Sequence, residues 1–108
     1  PDPIAKFAGT STGKVNAATL RVQKGIVAAV ENFDFEAKFQ VIKYKMILSK
    51  KGGDITEYQG NDPYVTPEMQ GALERLKSKE KIYIEEIYVK EPGGGTRKLQ
   101  TGISIEVL

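Results

Sequence analysis

From Val30 to Ser49 the chain reads VENFDFEAKFQVIKYKMILS, with apolar residues at alternate positions. Phe33, Phe35, Ala37, Phe39 and Val41 share one parity. A strand sends successive side chains to opposite faces, so these form one apolar stripe, and Asp34, Glu36, Lys38 and Gln40 form the wet face. After Val41 the parity changes, and Ile42, Tyr44, Met46 and Leu48 carry the alternation. At about 3.3 Å per residue the run would exceed ~50 Å, too long for one straight strand in a small domain. The pattern therefore predicts a bulge or a crossing between two packed sheets near Val41. The segment from Ile82 to Glu91 repeats the device, with Ile82 and Ile84 on one parity, Ile87 and Val89 on the other, and Glu85-Glu86 at the switch.

Around these two runs the remaining elements follow from local signals. Pro1-Asp2-Pro3 excludes helix and reads as the extended end of an inter-domain linker. Ile4 to Ala8 reads as a short strand, Gly9 to Gly13 as a turn-rich loop, and Leu20-Arg21-Val22 and Ile26 to Val30 as two further strands. Lys50-Lys51-Gly52-Gly53-Asp54 is a turn joining residues 46–49 to 55–59 as a hairpin. One helix is predicted from Thr66 to about Ser78. Thr66 is a suitable N-cap, Pro67 sits where a missing N–H costs nothing, and Met69, Ala72, Leu73 and Leu76 form an apolar stripe. After the turn Pro92-Gly93-Gly94-Gly95, alternation through Leu99, Thr101, Ile103, Ile105 and Val107 predicts the final strand. The expected fold is mainly β (α+β): one domain over 1–108, an antiparallel β-sandwich of about seven strands with one amphipathic helix at about 66–78 packed on it.

Composition narrows the chemistry. There is no histidine and no cysteine among the 108 residues, which removes Ser-His-Asp and Cys-His catalysis, disulfides and zinc sites of the usual donors. Gly9-Thr10-Ser11-Thr12-Gly13-Lys14 superficially suggests a phosphate loop, but three residues separate its glycines where four are needed, and Val15 stands where a hydroxyl must bind magnesium. Asp34 and Glu36 share a strand face with Lys38 and Gln40, which a solvated face explains. Neither a catalytic constellation, a metal site nor a cofactor is expected. The net charge of +2 with lysines spread along the chain argues against a nucleic-acid surface. No run approaches 18 apolar residues and no charged, apolar leader opens the chain, so neither a membrane span nor a signal peptide is expected, and no membrane contact by these residues.

The stretch Asn32-Phe33-Asp34-Phe35-Glu36-Ala37-Lys38-Phe39 resembles a signature of the C-terminal domain of the gliding-motility and type IX secretion proteins GldM and PorM. Pro1-Asp2-Pro3-Ile4-Ala5, Lys81-Ile82-Tyr83-Ile84-Glu85-Glu86-Ile87 and Pro92-Gly93-Gly94-Gly95-Thr96-Arg97-Lys98-Leu99 are similar to the same family, in the same order, over nearly the whole chain. The resemblance implies the last periplasmic domain of a protein anchored in the inner membrane, a homodimer when full-length. It also implies a non-catalytic docking role toward an outer-membrane-associated ring lipoprotein and its companion protein, with the inner-membrane motor partner held by the absent N-terminal part. Gly94, Thr96, Arg97, Lys50 and Lys51, at two hairpin tips, are the candidate partner-binding residues. Arg97 is suited either to a partner carboxylate or to Glu91 across the strands. Asn32, Phe33, Asp34 and Phe35 are the candidate corner motif, Asn32 and Asp34 bonding the bend and the phenylalanines packing beneath it. The alternative is a carbohydrate- or peptidoglycan-binding module, which would need at least two of Tyr44, Tyr58, Tyr64, Tyr83 and Tyr88 in one exposed groove.

Overall fold

The structure, a computed structural model, describes residues 2–31 and 36–108. Its elements are, in order, β1 (Ile4–Lys6), β2 (Thr12–Val15), α1 (Ala17–Arg21), β3 (Val27–Glu31), β4 (Glu36–Ser49), β5 (Ile55–Gly60), α2 (Pro67–Glu74), β6 (Lys81–Lys90), β7 (Thr96–Lys98) and β8 (Ile103–Val107). The two long strands, β4 and β6, pair antiparallel and carry β3, β5, β7 and β8 on their outer edges, with β1 beyond β3 and β2 beyond β8. On β4, β3 pairs with residues 36–39 and β5 with residues 44–49. On β6, β8 pairs with residues 81–84 and β7 with residues 88–90.

The change of parity seen in both long strands is a pair of compensating register shifts. Val41 faces Val89, Lys43 faces Tyr88, and Lys45 faces Glu85, after which the ladder regains its first register. An extra residue in one strand bends it and sharpens its twist. Because each strand changes parity at the same level, Val41, Tyr44, Met46 and Leu48 of β4 stay buried beside Val89, Ile87, Ile84 and Ile82 of β6. Glu86 lies in this bend with φ 51, a left-handed backbone that few non-glycine residues adopt. Leu99 to Gly102 passes the same level between β7 and β8. There a Cβ on Gly102 would come 2.4 Å from the Ile84 carbonyl oxygen, so only glycine fits.

The mainly-β, α+β class expected from the sequence holds. The sandwich takes the form of one curled sheet, ordered β1-β3-β4-β6-β8-β2 with β5 and β7 alongside, since β4 and β6 run through both halves. Eight strands are present among the described residues, and the β2–β8 pair is parallel, against an expectation of about seven antiparallel strands. The single run expected from Leu99 to Val107 is two strands, and Thr12, expected in a loop, opens β2. The chain reaches β2 through a two-residue turn at Ala8 and Gly9, both at positive φ, closed by the paired Phe7 and Thr10 amides.

Leu20-Arg21-Val22, expected as a strand, belongs to a second helix. The Asn16 side chain accepts from the Thr19 N–H at 2.9 Å and caps it, leaving Leu20 buried and Val22 outside. Helix α2 starts as expected, Thr66 accepting from the Met69 N–H at 3.1 Å, but ends at Glu74 instead of Ser78. Its Met69, Ala72 and Leu73, with Leu76 just beyond, join Leu20 and the sheet's apolar face in one core. Each such fully buried Leu or Met side chain contributes about 1.5–3 kcal/mol.

Candidate docking surface

The candidate residues fall into two groups at opposite ends of β6, a strand of ten residues and hence about 30 Å long. Gly94, Thr96 and Arg97 lie at the β6–β7 hairpin, where the Glu91 N–H donates to Gly95 at 2.7 Å and Gly94 turns at φ 100. Arg97 is engaged within the chain. Its Nε donates to Glu91 Oε1 at 2.8 Å, the pairing allowed for from sequence, and its Nη1 donates to Asp2 Oδ1 at 2.8 Å. The bond to Glu91 comes first in raising the guanidinium pKa further, and the arrangement clasps the start of the chain to β7. The corner residues Asn32, Phe33, Asp34 and Phe35 lie outside the described residues.

At the other end, Lys50 and Lys51 form the β4–β5 tip, closed by a bond from the Lys50 N–H to Asp54 O at 2.9 Å. Here the structure adds what the sequence analysis missed. Glu80, on the loop after α2, is only 5 % exposed, and its carboxylate accepts from the Lys77 N–H at 2.7 Å and the Lys51 N–H at 3.0 Å. Burial pushes this carboxyl up, but the two N–H bonds and the charges of Lys50 and Lys77 outweigh it, so its pKa lies below the ordinary glutamate value. One carboxylate thus ties the hairpin tip to the loop and brings Lys50, Lys51, Lys77 and Lys79 to one end of the molecule.

A third feature was not foreseen. Gly25 pairs with Tyr64 in a short bridge, the Ile26 N–H donating to Pro63 O and the Val65 N–H to Lys24 O, both at 2.8 Å. A Cβ on Gly25 would fall 2.3 Å from that Pro63 oxygen, so glycine is required. The bridge holds open a groove of about 350 Å³ lined by Val22, Ile26, Val27, Pro63 and Tyr64. Val22 is 68 %, Val27 53 % and Tyr64 63 % exposed, a gathering of large apolar side chains in water. Gly25 was the available signal, since an isolated glycine before an apolar run marks close backbone approach.

Over its whole described length and beyond, residues 1–108, the chain matches the family described as GldM C-terminal domain. The chain belongs to that family. No curated protein matches it. The GldM family assigns this domain to the gliding-motility and type IX secretion machinery. Among its described residues no helix is long and apolar enough to cross a membrane, and no group of three acidic side chains gathers as a metal site. Of the tyrosines of the GldM domain, Tyr44 and Tyr88 line one groove, the first buried and the second half-buried. Tyr44 is buried, its hydroxyl donating to Tyr64 O at 2.6 Å, Tyr83 and Tyr64 line separate grooves, and Tyr88 lies under the Lys43 ammonium at 5.5 Å. Tyr58 is half-buried against the core.

Proposed function

We propose that this GldM C-terminal domain is a non-catalytic docking head. It is the distal periplasmic domain of a homodimeric protein anchored in the inner membrane, and it joins the motor there to the outer-membrane-associated ring lipoprotein and its companion protein. The observation that carries this reading is the groove at Val22, Val27, Pro63 and Tyr64. Its apolar side chains are set by the backbone bonds of the Gly25–Tyr64 bridge, between the end of α1, the start of β3 and the loop before α2, and exposed apolar patches of this kind are contact surfaces.

The test is photo-crosslinking in cells making the full-length protein, with the reactive residue placed at Val27. The expected result is an adduct with the ring lipoprotein or its companion that disappears in Val22→Asp and Tyr64→Ser. Unchanged adducts in these variants, or adducts with peptidoglycan alone, would overturn the reading, the latter in favour of the sugar-binding module.

A further inference from the structure

Two segments far apart in sequence, 50–51 and 77–81, supply five of the chain's 16 basic residues to one end of the fold. The Glu80 carboxylate holds the Lys51 and Lys77 backbones at its two oxygens, and Lys81 faces Ser49, beside Lys50, across the β4–β6 ladder. Three cations elsewhere sit in ion pairs: Lys14 meets Glu106 at 3.9 Å, Lys45 meets Glu86 at 2.7 Å, and Arg97 meets two carboxylates. Among the described residues no such pair forms at Lys50, Lys51, Lys77, Lys79 or Lys81. Of the carboxylates beside them, Glu80 is buried and spent on backbone N–H groups, and Glu106, which faces Lys81 across the β6–β8 ladder, is paired with Lys14.

We infer that this basic end is a second contact surface, and that it takes an acidic protein face rich in aspartate and glutamate. The inference rests on the docking reading and gives the chemistry of one partner. Three observations favour a protein face over another polyanion. The lysines are carried on segments whose backbone is fixed by hydrogen bonds from Lys79 N–H to Val107 O at 2.7 Å and from Val107 N–H to Glu80 O at 2.8 Å, so no segment has to be ordered on contact. Ile55 and Leu108, 65 % and 60 % exposed, flank the lysines on β5 and after β8, and offer the apolar component of a protein interface. The five basic side chains of segments 50–51 and 77–81 are all lysines, point charges without the planar arginine fork that binds phosphate bidentately.

The test places a photo-crosslinking residue at Lys51 or Lys79 in the full-length protein in cells, with Val27 as the comparison position. The adducts are identified by mass spectrometry. The expected result is a crosslink from the basic end to an Asp/Glu-rich peptide of an envelope protein. Its yield should fall about tenfold when the three remaining lysines among Lys50, Lys51, Lys77 and Lys79 become glutamate, as surface charge steers encounter. Lys→Gln variants at the same positions, with unchanged thermal unfolding, should give an intermediate loss. Crosslinks from Val27 with none from Lys51 or Lys79 would overturn this inference and leave the docking reading standing, whereas no protein crosslink from any position would overturn both. Adducts with lipid or glycan alone from the basic end would assign it to a polyanion and overturn the inference as stated.

Discussion

Tyr44 and Gly60 face each other across the β4–β5 ladder, and the Tyr44 ring fills the space that a side chain at Gly60 would need. A Cβ there would stand 2.2 Å from Tyr44 Cε1 and 2.3 Å from Cζ. An aromatic ring laid over a glycine on an edge strand shields its backbone and fixes the register. The ring also reaches past β5, because the Tyr44 hydroxyl donates to Tyr64 O at 2.6 Å and lies 3.1 Å from Met69 Sδ on α2. One residue therefore links the edge strand, the groove segment and the helix.

Gly60→Ala is expected to cost about 1–3 kcal/mol, the range for forcing extra atoms into a packed site. The ring cannot yield without breaking its bond to Tyr64, so the damage should spread to the groove. Urea unfolding gives the energy. Hydrogen exchange at Ile26 and Val65, whose N–H groups close the groove bridge, shows whether the change has travelled.

The same tyrosine predicts an alkaline limit. Burial, with a further push from the Asp62 carboxylate, raises the Tyr44 pKa from 10.0 to about 12. The unfolded chain then loses this proton before the folded one does. The stabilisation is fully present below pH 10 and is lost as pH rises through about 12. Tyr44→Phe should remove that component of the decline while lowering stability at neutral pH by about 1 kcal/mol for the lost hydrogen bond. Urea midpoints measured from pH 8 upward, against the variant, test both statements.

The parity of apolar residues was enough to locate the bends at Val41 and at Glu85-Glu86, because parity reports which face a side chain takes and a bulge must change it. The same rule could not divide β7 from β8. Leu99 and Ile103 keep one parity across the connection, and only the close approach of Gly102 to Ile84 betrays the break. Helix α1 was hidden because Leu20 and Val22 alternate by accident within a five-residue helix, too short for a 3.6 period to show. Strand β2, Thr-Gly-Lys-Val, carries no apolar stripe, since its side chains are exposed or half-exposed at a parallel edge. The basic end was illegible for another reason: Lys50-Lys51 and Lys77 to Lys81 meet only in the fold, through the hydrogen bonds of Glu80 and the pairing of Ser49 with Lys81.

Glu80 itself predicts an acid sensitivity. Its folded pKa is lowered, so its contribution is present above the unfolded glutamate pKa and fades as pH falls through the folded value. Glu80→Gln leaves one of the Lys51 and Lys77 N–H groups facing an amide NH₂ group. It should cost about 1–3 kcal/mol at neutral pH, the price of an unsatisfied buried donor, and flatten the acid decline. Urea midpoints between neutral and strongly acidic pH, compared with the unaltered protein, should converge as Glu80 is protonated.

Glu86 separates backbone strain from charge. Its φ of 51 suits glycine or asparagine, while its carboxylate, 2.7 Å from Lys45 Nζ and held below the ordinary glutamate pKa first by that bond, is open to water. Exposed pairs contribute little, so the backbone term should decide. Glu86→Gly is expected to hold or raise the urea midpoint, and Glu86→Val, β-branched at a left-handed position, to lower it. A fall in both, removed by high salt, would show that the pair matters more than the bend.

Arg97 gives the last test, because a clasp and a partner contact make different demands on it. As a clasp, it joins Glu91 on the hairpin to Asp2 before β1, so Arg97→Ala should speed hydrogen exchange at Ile4 to Lys6 and expose the segment before β1 to proteolysis. Asp2→Asn should reproduce the effect at β1 while sparing the β6–β7 turn, which Glu91 and Gly95 close through their backbones. Arg97→Lys offers one point charge for two acceptors and should give an intermediate exchange rate. If Arg97→Ala weakens capture of an envelope partner while Asp2→Asn does not, the guanidinium acts at the interface. If the two weaken capture alike, its role is to hold the segment before β1 in place.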